Sequence, residues 1–185
     1  MSNATPARTS VRGGRGAIVG IAIVVASGAA AALILTGHRT LAGVAAAVAA
    51  ALLLVGMPAA ADRRAVFARH LLDLLFEACV LVPVTWVERA SAPRVAALAL
   101  LGLGASFVAS YERAKGVGLG YRATESWPYR AIKDGLLVLG LVSGWLEATL
   151  WAYLAMATFA AAVRAFNVAN QERRRKAEAE TGGRT

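Results

Sequence analysis

The segment HLLDLLFE, residues 70–77, places Asp73 and Glu77 four residues apart inside a long apolar run. Four residues make about one helical turn, so both carboxylates fall on one helix face. Ionisable groups at membrane depth are costly, which makes each a candidate for function. Further charged sets reach the same end of the chain's topology. Arg113 and Lys115 leave the fourth apolar segment, Arg130, Lys133 and Asp134 open the fifth, and Arg164 lies near the inner end of the sixth. Residues 52–60 close the second segment at that level. A mixed-charge site at headgroup depth suits a phosphate- or pyrophosphate-bearing lipid: the cations pair with phosphate and the carboxylates can hold a divalent metal.

These side chains need elements to hold them, and the composition names the elements. The chain has 185 residues, 58% of them hydrophobic, with a mean hydropathy of +0.57. The apolar residues come in runs, unlike those of an ordinary soluble domain. Crossing a bilayer as helix takes roughly 17–25 residues. Six segments come near that length: 17–37, 41–61, 67–87, 94–111, 131–147 and 148–168, the fifth being short. Helices are expected because backbone polar groups in lipid must be satisfied within the segment. A closed barrel would need polar alternation, which these Ala/Leu/Val runs lack.

Charge sets the orientation. With an even number of spans and a cytoplasmic N-terminus, only Arg39, Arg89 and Arg94 of the 20 lysines and arginines fall outside. That asymmetry is the positive-inside pattern. The expectation is an all-α integral membrane bundle of six transmembrane helices with both termini cytoplasmic, a multi-pass protein of the cell membrane. Trp86 and Trp145 fall near the outer interface, where indole rings sit well, and Trp127 falls on the inner side. Residues 1–16 are expected to be a disordered basic N-terminus, 17–168 the transmembrane domain, and 169–185 a basic, charged cytoplasmic tail attracted to anionic lipid. The apolar run after Gly16 is too long for a signal-peptide core, so the first helix is expected to be retained.

Other functions find less support. The net charge of +9 follows topology and carries no aromatic platform, so nucleic acid is not an expected partner. Cys79 is the one cysteine, which rules out an internal disulfide and suits a small packed hydrophobe. The two histidines and the cysteine lie far apart and make no zinc site. VLGLVSG (138–144) and LLGLGAS (100–106) read as helix-packing surfaces, since a phosphate-cradling glycine loop needs a preceding strand.

SYERAKGVGLG (110–120), a loop ending in WPYR (127–130) and the apolar helix after it resemble the CDP-alcohol phosphatidyltransferases of phospholipid synthesis. The likeness is to the branch that makes phosphatidylinositol phosphate or phosphatidylglycerophosphate, and it covers roughly 40–170. Six helices with both ends inside is that family's architecture. Its members move a phosphatidyl group from CDP-diacylglycerol to an alcohol and release CMP. Their signature is Asp-x2-Asp-Gly-x2-Ala-Arg-x8-Gly-x3-Asp-x3-Asp. Laid on this chain without a gap, it keeps Gly56, Ala59 and Asp73 and exchanges the last Asp for Glu77. Leu52 and Val55 stand at the two leading Asp positions, Ala60 at the Arg and Arg69 at the second Gly.

The resemblance implies a site in which four carboxylates hold Mg²⁺ or Mn²⁺ and the last acts as general base. Here Asp73 and Glu77 are the vestigial catalytic and metal-binding candidates. Gly56, Ala59, Arg113, Lys115, Arg130 and Arg164 match substrate- or phosphate-binding positions. Leu52 and Val55 offer no oxygen ligand, and a two-metal clamp requires several. Arg69, four residues before Asp73, is placed to pair with it and to fill the site. A homologue that no longer performs the transfer is therefore expected. It would bind membrane lipids and form a homodimer, or a heterodimer with an active relative. The alternatives are an active CMP-releasing transferase using Asp73, Glu77 and Asp62 for one metal, and an unrelated structural or transport membrane protein. Against transport stands the lack of repeats or broken helices at the midplane.

Overall fold

A computed structural model describes residues 8–56, 63–121 and 127–182, and these form an all-helical bundle without strands. The helices are α1 (Arg8–Leu35), α2 (Arg39–Ala51), α3 (Arg63–Glu88), α4 (Pro93–Gly118), α5 (Trp127–Ser143) and α6 (Leu146–Gly182). A π-helical turn, Leu52–Gly56, continues α2. Helix α1 begins within the segment 1–16 that was expected to lack structure, and α6 runs on through the charged tail.

Among the described residues, five stretches are long and apolar enough to cross a membrane: Gly16–Leu35, Arg39–Gly56, Val66–Glu88, Pro93–Gly118 and Leu146–Lys176. Helix α5 has 17 residues and falls short of that length.

The helices close into a ring. Each packs on two neighbours in the order α1, α3, α4, α6, α5, α2 and back to α1. Short turns place α1 beside α2, α3 beside α4 and α5 beside α6. Two of these turns need a left-handed residue, supplied by Gly37 (φ 83°) and Gly144 (φ 77°). Each helix buries one stripe. On α1 it is Ile23, Ser27, Ala30 and Ile34, and on α5 it is Arg130, Lys133, Asp134, Leu137 and Leu141. Side chains such as Val25, Leu41, Phe67, Leu101 and Phe159 point outward, as lipid-facing positions of a bundle should.

Small residues set the helix spacing. A Cβ on Gly43 of α2 would overlap the Val142 side chain of α5, and one on Gly140 of α5 would overlap Thr149 of α6. On α4, a Cβ at Gly102 would lie 2.9 Å from the Tyr153 ring. Close backbone approach of this kind drives association where lipid removes the hydrophobic incentive.

Polar contacts tie both ends. At one end Arg39 of α2 pairs with Glu88 of α3, which also accepts from Ser91 Oγ at 3.2 Å. Arg89 lies over the Trp86 ring, 3.7 Å from its centroid. At the other end the α6 extension docks on the end of α4. Tyr121 donates to Glu172, Arg175 Nη2 donates to the Gly120 carbonyl at 2.6 Å, and its guanidinium lies over the Tyr121 ring. The bond to Glu172 holds the Tyr121 phenol above its usual pKa.

Gly43→Leu should lower thermal stability in detergent, by about 1–3 kcal/mol for overpacking. Gly104→Ala, where a Cβ meets nothing within 4 Å, should leave stability unchanged or slightly raised. Equal losses in the two variants would refute the packing role of Gly43.

Candidate functional site: a charged centre across the ring

In the ring order α3 and α5 stand opposite each other, with α1 and α2 on one side and α4 and α6 on the other. Their long side chains bridge the gap. Arg130 Nη2 donates to Asp73 Oδ2 at 2.7 Å, with both side chains about nine-tenths buried. Lys133 Nζ pairs with Glu77 Oε1. Tyr153 of α6 donates to the second oxygen, Glu77 Oε2, at 2.9 Å. Glu77 and Tyr153 are fully buried. Asp134 joins the same face of α5 at 2% exposure.

Helix periodicity explains the convergence. Asp73 and Glu77 are separated by four residues, Arg130 and Lys133 by three, and each pair shares a face. The pairing order, 73 with 130 and 77 with 133, is that of two helices running in the same direction. An up-and-down bundle requires that of its third and fifth helices.

A second layer lies about one turn away, toward the N-terminal end of α3. Arg113 of α4 donates from Nη2 to His70 Nδ1 at 2.7 Å. Since arginine only donates, that ring nitrogen is the acceptor. Arg69 Nη2 donates to the Leu53 carbonyl at 3.1 Å, joining α3 to the π turn that ends α2. Arg164 Nη1 donates to the Ala109 carbonyl at 2.8 Å and faces the Tyr129 ring.

Asp73, Glu77 and Arg130 thus come together, and Arg113 reaches the adjoining turn through His70. Arg164 bonds to the α4 backbone. Lys115 is exposed in the last turn of α4. Gly56 sits where a Cβ would be 2.9 Å from Val19 Cγ1 of α1, a helix-packing contact. Ala59, Ala60 and Asp62 lie outside the described residues. Leu52 and Val55 fall in the π turn, where Leu53 is the residue that turns inward and Val55 is 84% exposed.

Among the described residues, no three His, Cys, Asp or Glu side chains gather as a metal site. Asp73 and Glu77 each hold a cation instead. The donor set therefore does not fit the Mg²⁺ or Mn²⁺ that the family likeness implies: a divalent cation here would have to displace Arg130 and Lys133. What the arrangement does is lock α3, α5 and α6 together through charge-assisted hydrogen bonds.

Tyr153 and His70 were not singled out from sequence, and Lys133 was seen only as one charge in a cluster. The available signal was spacing: Arg130, Lys133 and Asp134 share one face of α5. Tyr153, in WAYLAM, shares a face with Thr149 and Leu150.

Removing one partner of a buried pair leaves a bare charge. Lys133→Met should therefore lower stability by about 3–5 kcal/mol. Adding Glu77→Gln should recover much of it, and a double-mutant cycle on thermal unfolding in detergent measures the coupling. Additive losses would disprove the pairing.

No family model, curated protein or solved structure matches this chain, so the functional reading rests on the chain's own residues and geometry.

Proposed function

We propose that this chain is a six-span protein of the cell membrane with both termini cytoplasmic. On this reading it has the CDP-alcohol phosphatidyltransferase architecture but no longer performs the transfer. The observation that carries it is the closure of Asp73 by Arg130 and of Glu77 by Lys133 and Tyr153. Carboxylates committed to protein cations are not available to clamp metals around a pyrophosphate. Leu52 and Val55, at the positions of the missing ligands, bring no oxygen.

The six-span count is supported by the place of α5 in the ring. At about 1.5 Å per residue it is roughly 25 Å long, a little under the ~30 Å apolar core. It packs between α2 and α6, both long enough to cross, so it crosses with them, the mismatch being met by local thinning. The cytoplasmic termini are supported by the basic residues gathered at the inner end.

What remains of the family's chemistry on this reading is affinity for anionic headgroups. Lys115, Arg173, Arg174 and Lys176 are exposed at that end and meet an anionic leaflet through long-range attraction. Pairing in the membrane, with a second copy or with an active relative, is the setting in which such a chain acts.

The test is CMP release from CDP-diacylglycerol by the purified protein in lipid nanodiscs, with Mg²⁺ or Mn²⁺. Inositol phosphate, glycerol phosphate and serine are the acceptors. The expected result is no release above the protein-free control with any of them. Metal-dependent release that Asp73→Ala abolishes would overturn the proposal and make the chain an active transferase.

A further inference from the structure

Helix α6 runs on past the end of its apolar face. Phe159, Val163 and Phe166 lie three or four residues apart and are exposed on one side of it, the side that faces acyl chains. The same spacing leads on through Asn170 to Arg173 and Arg174, and both arginines are exposed. Phe166 and Arg173 are about 10 Å apart along the axis, and the headgroup layer of one leaflet is about 5–8 Å deep. One unbroken helix face therefore passes from acyl chains into headgroups, and arginine stems are long enough to reach back to the phosphates.

The end of α4 decides what that face carries. Gly120, at φ 77°, closes α4 in a turn where its N–H donates to the Val117 carbonyl and the Tyr121 N–H to that of Gly116. The turn offers α6 the Gly120 carbonyl and the Tyr121 ring and hydroxyl. Arg175 takes the carbonyl and the ring, and Glu172 takes the hydroxyl. Docking thus holds Glu172, the one carboxylate among residues 171–177, toward α4. Arg173, Arg174 and Lys176 stay exposed, with Lys176 Nζ 3.5 Å from Glu172. The balance is positive with the neighbours counted. Residues 172–180 hold four cations and three carboxylates, and two of the three, Glu178 and Glu180, follow further toward water. On α4, Glu112 and Arg113 cancel, and Lys115 is an exposed further cation. The contacts Arg164–Ala109 and Arg175–Gly120 keep one register, which sets Lys115 level with Asn170.

We infer that Arg173 and Arg174 of α6, with Lys176 beside them, form a binding site for the headgroup of one anionic phospholipid, and that the clasp between Tyr121 and Glu172 builds it. The acyl chains of the lipid run along Phe159, Val163 and Phe166, and its phosphate accepts hydrogen bonds from the guanidinium groups. That apolar approach selects a lipid over a free phosphate ion. Opening the clasp frees Glu172 to compete with the phosphate for the neighbouring cations. The site rests on the membrane topology and headgroup affinity proposed above. It differs from general attraction to a charged leaflet in depending on the clasp and not on charge alone.

The experiment is native mass spectrometry of the full chain, released from detergent after titration with phosphatidylglycerol or phosphatidylcholine. It resolves each bound lipid and gives a dissociation constant for the first. The expected result is that phosphatidylglycerol binds at least about fivefold more tightly, the effect of one surface cation. That preference should vanish in the double variant Arg173→Gln/Arg174→Gln. It should fall about threefold, as for one lost hydrogen bond, in Tyr121→Phe, which leaves the net charge unchanged. It should persist in Arg94→Gln, at the opposite end. No preference in the wild type would overturn both the site and the headgroup affinity beneath it. Full preference in the double variant would place the lipid elsewhere and overturn the site, as would its loss in Arg94→Gln. Full preference in Tyr121→Phe would overturn the site alone and leave attraction by charge. None of these outcomes depends on CMP release, so failure of the site and failure of the lapsed-transferase reading are told apart.

Discussion

The bundle depends on two ion pairs that run straight across it. Helices α3 and α5 sit opposite each other in the ring, so the only groups long enough to join them are side chains with several methylenes. Arg130 and Lys133 supply that length from α5, and the shorter carboxylates of Asp73 and Glu77 receive them from α3. Between lipid-embedded helices there is no hydrophobic gain in association, since lipid tails are as apolar as leucine. What draws the ring together is close packing on its circumference and these charges through its middle. An apolar centre of equal volume could be as stable or more so, so the pairs cannot be explained by stability alone.

Packing and charge are coupled at Tyr153. Its ring lies against Gly102, where a Cβ would approach to 2.9 Å, and its hydroxyl reaches Glu77 Oε2. The missing side chain on α4 therefore sets how deeply a tyrosine of α6 penetrates, and that depth decides whether Glu77 is fully satisfied. A larger residue at position 102 would push the ring outward and leave one oxygen of a fully buried carboxylate without its donor. Gly43 and Gly140 act similarly at the α2–α5 and α5–α6 contacts, which hold α5 close enough for its cations to reach the centre.

Much of this could be read from the residues. Apolar run length and the uneven distribution of Lys and Arg outlined the helices, and the one-turn spacing of Asp73 and Glu77 put both on a single face. The partners were harder. Local spacing places Arg69 one turn from Asp73, and the structure also brings Arg130 to that carboxylate from the far side of the bundle; nothing in the sequence sets which helices stand opposite. The end of α2 misleads for a different reason. An α-helical period across residues 52–55 would turn Leu52 and Val55 to the same side. The π turn widens that period, so Leu53 is buried and Val55 points away. Beyond residue 168 the charged tail continues α6 as far as Gly182, because its charged residues have good helix propensity.

The spacing of the charges explains why a membrane bundle would keep them. Along α3 the carboxylates are four residues apart, a rise of about 6 Å, and along α5 the cations are three apart, about 4.5 Å. Flexible Lys and Arg stems absorb the difference, but only in one register. Sliding α5 by one turn would carry Arg130 or Lys133 past its partner into apolar surroundings, and rotating it would turn both toward lipid. Helix α5 has 17 residues and falls short of the length that crosses a membrane, so its apolar length does little to set its position. Two ion pairs in its N-terminal half fix both its register and its rotation, which a greasy stripe of Leu137 and Leu141 alone would leave open to slippage. Registry is the best-attested use of buried polar groups, and here it falls on the helix that needs it most.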